Sequence, residues 1–308
     1  MEYVIEGRYA DYSGALMRSF LRSGLGLSSG VITRLKKLDD GILCNGERVT
    51  VRRVLQAGDR VSLHLEDSAS DVNPYLRGGE DDLVILFEDD GCAAVYKRAG
   101  MPTHPSLGHR DDSLASSAAA HYSSAPFVFR PVNRLDRDTS GIVLIAKDRP
   151  AAGFLSAQME QGNIRKQYLA FLEHAPRPSA GRIDLPIARE RESIITRCVR
   201  EDGDRALTEY RTLMTLQNGL CAVEASPLTG RTHQLRVHFS AIGCPLAGDD
   251  LYGGGRELIA RQALHAFRLR FVSPASGEVT VSAPLPDDME ALLTDSEKEA
   301  LNGMLLCE

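Results

Sequence analysis

The chain has 308 residues, of which 43% are hydrophobic and 25% charged, values typical of a soluble globular protein with about two domains. No apolar run approaches the ~18 residues of a membrane span, and no basic region followed by an apolar stretch opens the sequence, so we expect neither a membrane partner nor a secretory signal. The six scattered cysteines form no Cys-x-x-Cys pair, which argues against a zinc ribbon or a disulfide framework and favours a cytoplasmic protein.

The net charge of −6 is unevenly distributed along the chain. Residues 66–90 hold nine acids and one base, and residues 287–308 hold seven acids and one base, which leaves +8 on the rest. Residues 11–60 alone hold nine bases and five acids. The overall acidity therefore does not exclude a nucleic-acid partner.

Residues 12–66 are predicted to form a small α+β module. The stretches SGALMRSFLRSGLGLSS and SGVITRLKKLDDG carry apolar residues at helical spacing, and Asn45-Gly46 between two apolar runs predicts a hairpin turn. The pattern resembles the S4 RNA-binding fold; a small module without a ligand is the alternative. The resemblance implies that nearby basic side chains bind RNA, namely Arg34, Lys36, Lys37, Arg52 and Arg53.

Residues 67–82 are acidic and lack periodicity, which indicates a linker. Residues 83–286 are predicted to form a larger α+β domain around a mostly antiparallel, mixed sheet. Six apolar runs predict its strands (LVILFED, CAAVYKRAG, IVLIAK, KQYLAFL, TEYRTLMTL and LCAVEAS), and a hairpin follows in HAFRLRFVSPASGEVTVSA. RPAAGFLSAQMEQG and THQLRVHFSAIG predict helices, and residues 287–308 an acidic tail or helix.

The stretch NRLDRDTSG, residues 133–141, places two arginines and two aspartates just before an apolar strand. A solvent-exposed turn would explain such a composition, because Asp, Thr, Ser and Gly all favour turns. The loop enters a buried strand, however, so we expect its side chains to be held rigidly over the sheet. A second unusual segment, SPLTGRTHQLRVH, also leaves a strand through a tight turn and enters a helix.

Several such stretches together resemble the RluA-type pseudouridine synthases. RLDRDTSG at 134–141 is similar to the family's catalytic motif, KQYLA at 166–170 to its second motif and LTGRTHQLRVH at 228–238 to its third. KRAGMPTHPS, GDDLYGG and LHAFRLRF match weaker stretches, in the family's order. The resemblance covers residues 83–285 and implies an enzyme that converts uridine in RNA, ribosomal RNA rather than tRNA, to pseudouridine.

The resemblance also implies the roles of individual residues. Asp136 is the expected catalytic carboxylate, which attacks C1′ or removes the C2′ proton, and Arg231 is expected to pair with it. Tyr168 is expected to pack against the uracil and is a candidate base for the C5 proton. Further contacts with the substrate are expected from four residues, Arg134, Thr139, Leu235 and His104. Asp138 lies at a position that the motif leaves free.

Two other classes of protein fit parts of the sequence. Ser140, His233 and Asp136 could form a hydrolase triad, but no Gly-x-Ser-x-Gly elbow is present. A non-catalytic RNA-binding protein on a synthase scaffold is the second alternative. The isomerisation is redox-neutral, and the sequence contains no P-loop, Gly-x-Gly-x-x-G or metal-ligand spacing, so we expect no cofactor, no metal and no obligatory protein partner.

Overall fold

A computed structural model describes residues 2–27, 29–65, 76, 78–106, 109, 111–124, 127–193 and 195–306. Most of the predicted linker, including residues 66–75 and 77, lies outside the described residues.

The N-terminal residues form a small module around an antiparallel sheet with strand order β1-β4-β2-β3. Its strands are β1 (Glu2–Val4), β2 (Ile42–Cys44), β3 (Glu47–Arg48) and β4 (Arg60–Leu63). Its helices are α1 (Met17–Ser19) and α2 (Ser29–Leu35). Helix α1 continues as a π-helix over Phe20–Gly24, and a 3-10 helix precedes it at Gly7–Tyr12. Asn45 and Gly46 form the predicted turn between β2 and β3, with positive φ angles of 54° and 82°. Strand β1 pairs with β4, so the module extends to residues before the expected start at residue 12.

The larger part of the chain folds around a ten-stranded mixed sheet. Its main path runs β10-β13-β14-β9-β15-β8-β6-β5, and every neighbour on it is antiparallel except β15 and β8. The strands are β5 (Val84–Glu88), β6 (Cys92–Lys97), β7 (Arg130–Pro131), β8 (Ser140–Ala146), β9 (Arg165–Leu172), β10 (Ala180–Asp184), β13 (Leu207–Thr215), β14 (Cys221–Pro227), β15 (Leu264–Ser273) and β16 (Gly277–Ser282), while β11 (Ile187–Arg189) and β12 (Arg197–Val199) form a separate ribbon. The predicted α+β class with a mostly antiparallel mixed sheet is therefore confirmed.

Helices cover both faces of this sheet: α3 (Leu114–His121), α4 (Arg149–Glu160), α5 (Gln234–Ala241), α6 (Asp287–Glu290) and α7 (Asp295–Leu306). Helix α4 begins as predicted, with Pro150 in its first turn and the Asp148 side chain accepting a hydrogen bond from the Ala151 N–H. The acidic C-terminal segment packs against the sheet, because Met289 and Leu301 are buried there beside Phe171.

Strands β8 and β15 lie side by side in the middle of the sheet and, among the strands that the structure describes, are the pair that runs parallel. Gly141, with φ of 119°, sits at this junction, and a Cβ on it would lie 2.2 Å from the Ala266 carbonyl oxygen. Only glycine fits so close to the neighbouring backbone. The loop with the RLDRDTSG motif ends at this junction and is thereby fixed to the centre of the sheet.

Candidate active site

A cavity of about 530 Å³ opens above the middle of the larger sheet. The loop before β8, the start of β9, the turn after β14 and helix α5 surround it. Every catalytic and substrate-binding residue expected from the sequence lines this cavity: Asp136, Tyr168, Arg231, Arg134, Thr139, Leu235 and His104. Residues that are distant in sequence therefore meet at one place.

The loop that carries Asp136 is held on both sides by hydrogen bonds to buried groups. The Thr103 hydroxyl donates to the Leu135 carbonyl oxygen at 2.9 Å, and the Thr139 N–H bonds the Asp136 carbonyl oxygen at 3.1 Å. Asn133, next to the motif, bonds the backbone of Ile142 and Leu144 in β8. The Asp136 side chain is consequently presented to the cavity from a fixed backbone.

Lys97 is a fully buried lysine at the end of β6, directly below this loop. Its ammonium donates to three carbonyl oxygens, those of Met101 at 2.7 Å, Arg137 at 2.8 Å and Arg98 at 3.0 Å. Burial lowers the pKa of Lys97 to about 7, while the nearby charge of Asp136 acts in the opposite direction. Lys97 thus joins the segment 98–101 to the loop with the catalytic motif.

The arginine beside Asp136 is Arg236, not the expected Arg231. Nη1 of Arg236 lies 3.5 Å from Oδ2 of Asp136, and the other side of the guanidinium holds the buried Asp249 through two bonds of 2.7 Å. Burial lowers the pKa of Arg236, but the bonds to Asp249 and the charge of Asp136 outweigh burial and raise this pKa overall. Arg236 therefore stays cationic between two carboxylates.

Arg231 lies at the rim of the same cavity and faces away from Asp136. Its Nη1 is 3.5 Å from Oδ2 of Asp204, and its Nε donates to the Arg205 carbonyl oxygen at 3.2 Å. The expected pairing of Arg231 with Asp136 is thus corrected. The physical reason is the turn before α5, in which His233 adopts a left-handed conformation with φ of 57° and turns the chain so that the helical arginine faces the carboxylate.

His233 itself reaches the carboxylate from the other side. Its Nδ1 is 2.8 Å from the Tyr252 hydroxyl and its Nε2 is 4.0 Å from Oδ1 of Asp136. The Tyr252 oxygen also accepts the Arg197 N–H at 2.9 Å, so its own proton is available to Nδ1. Burial lowers the pKa of His233, while the charge of Asp136 acts in the opposite direction.

Tyr168 on β9 is buried at the floor of the cavity. Burial, and then the negative charge of Asp136, raise the pKa of its hydroxyl. A phenol whose pKa is raised stays protonated at neutral pH, which favours the expected packing role and argues against the expected role as a base.

The remaining predicted residues have distinct surroundings in the cavity. Thr139 is buried and accepts a bond from Gln262 at 3.3 Å, and Leu235 packs in the core below. Arg134 is exposed at the cavity, and its charge, after burial, contributes to a lowered pKa of His104. His104 meets Phe129 edge to face, with ring centroids 5.4 Å apart.

Asp138 and Ser140 lie outside this arrangement. Both oxygens of Asp138 bond the neighbouring Arg137 side chain at 3.0 Å, and Asp138 is not among the residues that line the cavity. Ser140 is buried in β8, where its hydroxyl lies 2.9 Å from Nδ1 of His265. Because the serine bonds neither His233 nor Asp136, the structure does not support a hydrolase triad.

Sequence reasoning did not assign Lys97, Arg236, Asp249 or Tyr252. All four lie within stretches that resemble the family, and GDDLYGG supplies Asp249 and Tyr252. In the small module, Lys36, Lys37, Arg52 and Arg53 are exposed, while Arg34 in the last turn of α2 is half-buried. These five lie outside the cavity lining.

Two further features concern cofactors and membranes. Within the described ranges, no group of three or more His, Cys, Asp or Glu side chains is arranged to hold a metal ion. Likewise, in the part of the chain that the structure describes, no helix is long and apolar enough to cross a membrane.

Known proteins resemble the chain over most of its length. The family model described as RNA pseudouridylate synthase matches residues 92–241. The chain is 38% identical over 272 residues to the uncharacterized RNA pseudouridine synthase YjbO of Bacillus subtilis, covering 87% of this chain and 95% of that protein. It is 34% identical over 269 residues to ribosomal large subunit pseudouridine synthase D of Xanthomonas campestris pv. campestris, covering 82% and 80% of the two chains.

Among solved structures, human RNA pseudouridylate synthase domain containing 1 matches with a TM-score of 0.59 and 28% identity, over 75% of this chain and 98% of that one. The protein therefore belongs to the RNA pseudouridine synthase family. It is an enzyme that isomerises uridine in RNA to pseudouridine, and the expected reaction class is confirmed.

Proposed function

We propose that Asp136 is the catalytic carboxylate of this enzyme and that the cavity around it receives the target uridine. The observation that carries the proposal is the position of Asp136, which lies in the cavity with Arg236 3.5 Å from Oδ2 and His233 4.0 Å from Oδ1. Its neighbour Asp138 has the same chemistry but lies outside the cavity lining.

The reaction exchanges one glycosidic bond for another. The bond from C1′ to N1 breaks, the uracil turns and C1′ bonds to C5. The proton on C5 is lost to solvent and N1 takes up a proton in its place, so the product is an isomer of the substrate. A carboxylate can assist by attacking C1′ or by removing the C2′ proton. Since Tyr168 stays protonated, we propose that it packs against the uracil and that Asp136, released once the carbon–carbon bond has formed, accepts the C5 proton.

The target uridine must leave its stack to reach this cavity. Enzymes that act on a base flip it out at a cost of a few kcal/mol, and the vacated position must be filled or stabilised. Arg134 is exposed at the cavity and His104 lies beside it, so we propose that Arg134 occupies the space left by the uridine and that His104 supports it.

Large-subunit ribosomal RNA is the proposed substrate. A relative that is 34% identical over 82% of this chain is named a ribosomal large subunit pseudouridine synthase. We propose that the N-terminal module is S4-like and adds phosphate contacts through its exposed Lys36, Lys37, Arg52 and Arg53. The free cysteines Cys44, Cys92, Cys198, Cys221 and Cys244 support action in the cytoplasm.

A matched pair of variants tests the carboxylate. Asp136→Asn keeps the shape of the side chain and removes its charge, so release of tritium from C5-labelled uridine RNA should fall by a factor of about 10⁴ or more. Asp138→Asn should stay within about threefold of the wild type, since its carboxylate pairs with the exposed Arg137 and lies outside the cavity lining. A normal rate in Asp136→Asn would refute the assignment, and mapping pseudouridines in cellular RNA with and without the gene identifies the target.

A further inference from the structure

A second cavity, of about 980 Å³, has no role in the proposed function. Residues of β9, β13, β14, β15 and β16 line it, together with the end of α4 and the turn that follows. It shares three lining residues with the active-site cavity, Met159, Lys166 and Pro227, so the two spaces are neighbours. Met159, Lys166 and Pro227 therefore lie at the boundary between the two cavities.

The second cavity is rich in cationic side chains. Five bases and two acids line it: Arg165, Lys166, Arg211, Arg268 and Arg270 against Glu209 and Glu224. Both acids already have partners, because Arg182 binds Glu209 at 2.7 Å and Arg211 binds Glu224 at 2.6 Å. Among the described residues, Arg165, Lys166 and Arg268 have no carboxylate within ion-pair distance, so a positive excess faces the cavity.

The register of β9 and β15 places like charges side by side. Arg165 lies directly opposite Arg270, and residues that are opposite in an antiparallel pair share one face of the sheet. Like charges in that arrangement cost stability. The exposed pair of Arg270 with Glu278, at 3.1 Å, relieves this repulsion only in part. A ligand with repeated negative charge would relieve it more fully.

We propose that this second cavity binds phosphates of the RNA strand that flanks the target uridine. The substrate is a polymer, so the strand must continue out of the active-site cavity, and the adjoining space supplies the cations that phosphates require. Lys166 stands between the two cavities and contacts the strand at the exit. Burial lowers the pKa of Lys166, and a phosphate beside it favours the charged form of the side chain.

The experiment uses total RNA labelled with C5-tritiated uridine, taken from cells that lack the gene, so that the substrate is present whether or not it is ribosomal. The variants are Arg165→Gln and the double variant Arg165→Gln/Arg270→Gln, which remove exposed charges. Arg268 is left intact because it also bonds the Leu305 carbonyl oxygen of α7. Lys298→Gln is the matched control, since it removes one charge outside both cavity linings. Arg165→Lys keeps the charge.

The expected result is a lower kcat/KM in the Gln variants at low salt, together with a weaker dependence of kcat/KM on salt. Between 50 and 200 mM salt, kcat/KM should fall for every protein, but less steeply for a variant that binds fewer phosphates. For each phosphate lost, the fall in the wild type should exceed the fall in the variant by a factor of about three. The single-turnover rate at saturating RNA should remain within about twofold. Arg165→Lys and Lys298→Gln should follow the wild type.

The proposal is overturned if the double variant keeps the wild-type kcat/KM and salt slope, or if its saturated rate falls in proportion to kcat/KM. The proposal rests on the Asp136 cavity being the active site, but the two fail differently. Activity in Asp136→Asn would refute the assignment of the active site. An unchanged salt slope in the Arg165 and Arg270 variants would refute only the role of the second cavity.

Discussion

Arg236 illustrates how one buried side chain can organise this active site. Two nitrogens of its guanidinium, Nε and Nη2, bind the carboxylate of Asp249, and the third, Nη1, faces Asp136. The ring of Tyr252 stacks 4.9 Å from the guanidinium, and the Tyr252 hydroxyl in turn orients His233. A planar guanidinium can make all of these contacts at once, whereas an ammonium is a point charge.

Substitution of Arg236 should therefore slow the reaction far more than substitution of Arg231, the other arginine of the third motif. Arg236→Lys cannot maintain the fork, and we expect the saturated single-turnover rate to fall about 100-fold, a barrier increase of about 2.7 kcal/mol. Arg231→Gln removes the exposed ion pair with Asp204 and should change the rate by less than about threefold. Tritium release from labelled RNA measures both, and a severe defect confined to Arg231→Gln would contradict the geometry.

Lys97 should affect catalysis more than stability. Lys97→Met leaves three carbonyl groups without their donor but also removes a buried charge, so the two effects on the free energy of unfolding partly cancel. We expect a stability change below about 2 kcal/mol and a rate loss of about tenfold or more, because the Asp136 loop loses its anchor. Urea unfolding and single-turnover assays separate these quantities; a normal rate would show that the loop is held without Lys97.

At the scale of elements, strand β15 connects the two halves of the larger sheet. It pairs with β9 on one side and runs parallel to β8 on the other, just behind the Asp136 loop. His265 lies in this strand with no exposed surface, and it contacts Ser140 at the start of β8. The hydrogen bond and the close approach of Gly141 to Ala266 together fix the position at which the loop joins the sheet.

The burial of His265 predicts a loss of stability in mild acid. Burial lowers its pKa to about 4, so between about pH 6.5 and 4 the unfolded chain binds a proton that the folded chain does not. Stability should fall as the pH decreases through this window, by up to about 3 kcal/mol from this group. Urea unfolding at several pH values should show a shallower decline for His265→Gln, and parallel curves would contradict the assignment.

Sequence patterns were informative for these elements where a local signal dominates. The Asn45-Gly46 turn, the start of α4 at Asp148 and Pro150, and the apolar run of β8 each follow from neighbouring residues. Local sequence could not show that Arg236 rather than Arg231 lies beside Asp136, because this depends on the left-handed backbone of His233 and on Asp249 from a distant loop. Strand β1 has three residues and exists through its pairing with β4, which no local pattern indicates.

At the scale of the whole molecule, the small module lies against the larger sheet through helix α4. A Cβ on Gly153 would lie 2.3 Å from the Gly26 carbonyl oxygen, so the backbone of the module touches that helix directly. Met159, later in the same helix, lines the active-site cavity. We therefore expect the exposed bases of the module and the proposed catalytic carboxylate, Asp136, to contact the same RNA molecule.

Removal of the module should weaken RNA binding more than it slows the chemistry. Every proposed catalytic residue lies beyond residue 130, so deletion of residues 1–66 should leave the saturated single-turnover rate within about tenfold, a barrier change of about 1.4 kcal/mol or less. The slope of log K against log salt should become shallower by roughly 0.7–0.9 for each phosphate that the module binds in the full-length protein. Filter binding and tritium release measure the two effects, and circular dichroism checks that the truncated chain folds.

A full-length variant provides the matched control, because it retains the packing of Gly26 against Gly153. Replacement of Lys36, Lys37, Arg52 and Arg53 by Gln removes four exposed charges and should reproduce most of the change in salt slope. If the deletion weakens binding and this variant does not, the module acts by supporting α4 rather than by contacting phosphates. If neither alters the affinity or the slope, the module does not bind this RNA, and a collapse of the saturated rate in a folded truncation would mean that it helps to build the active site.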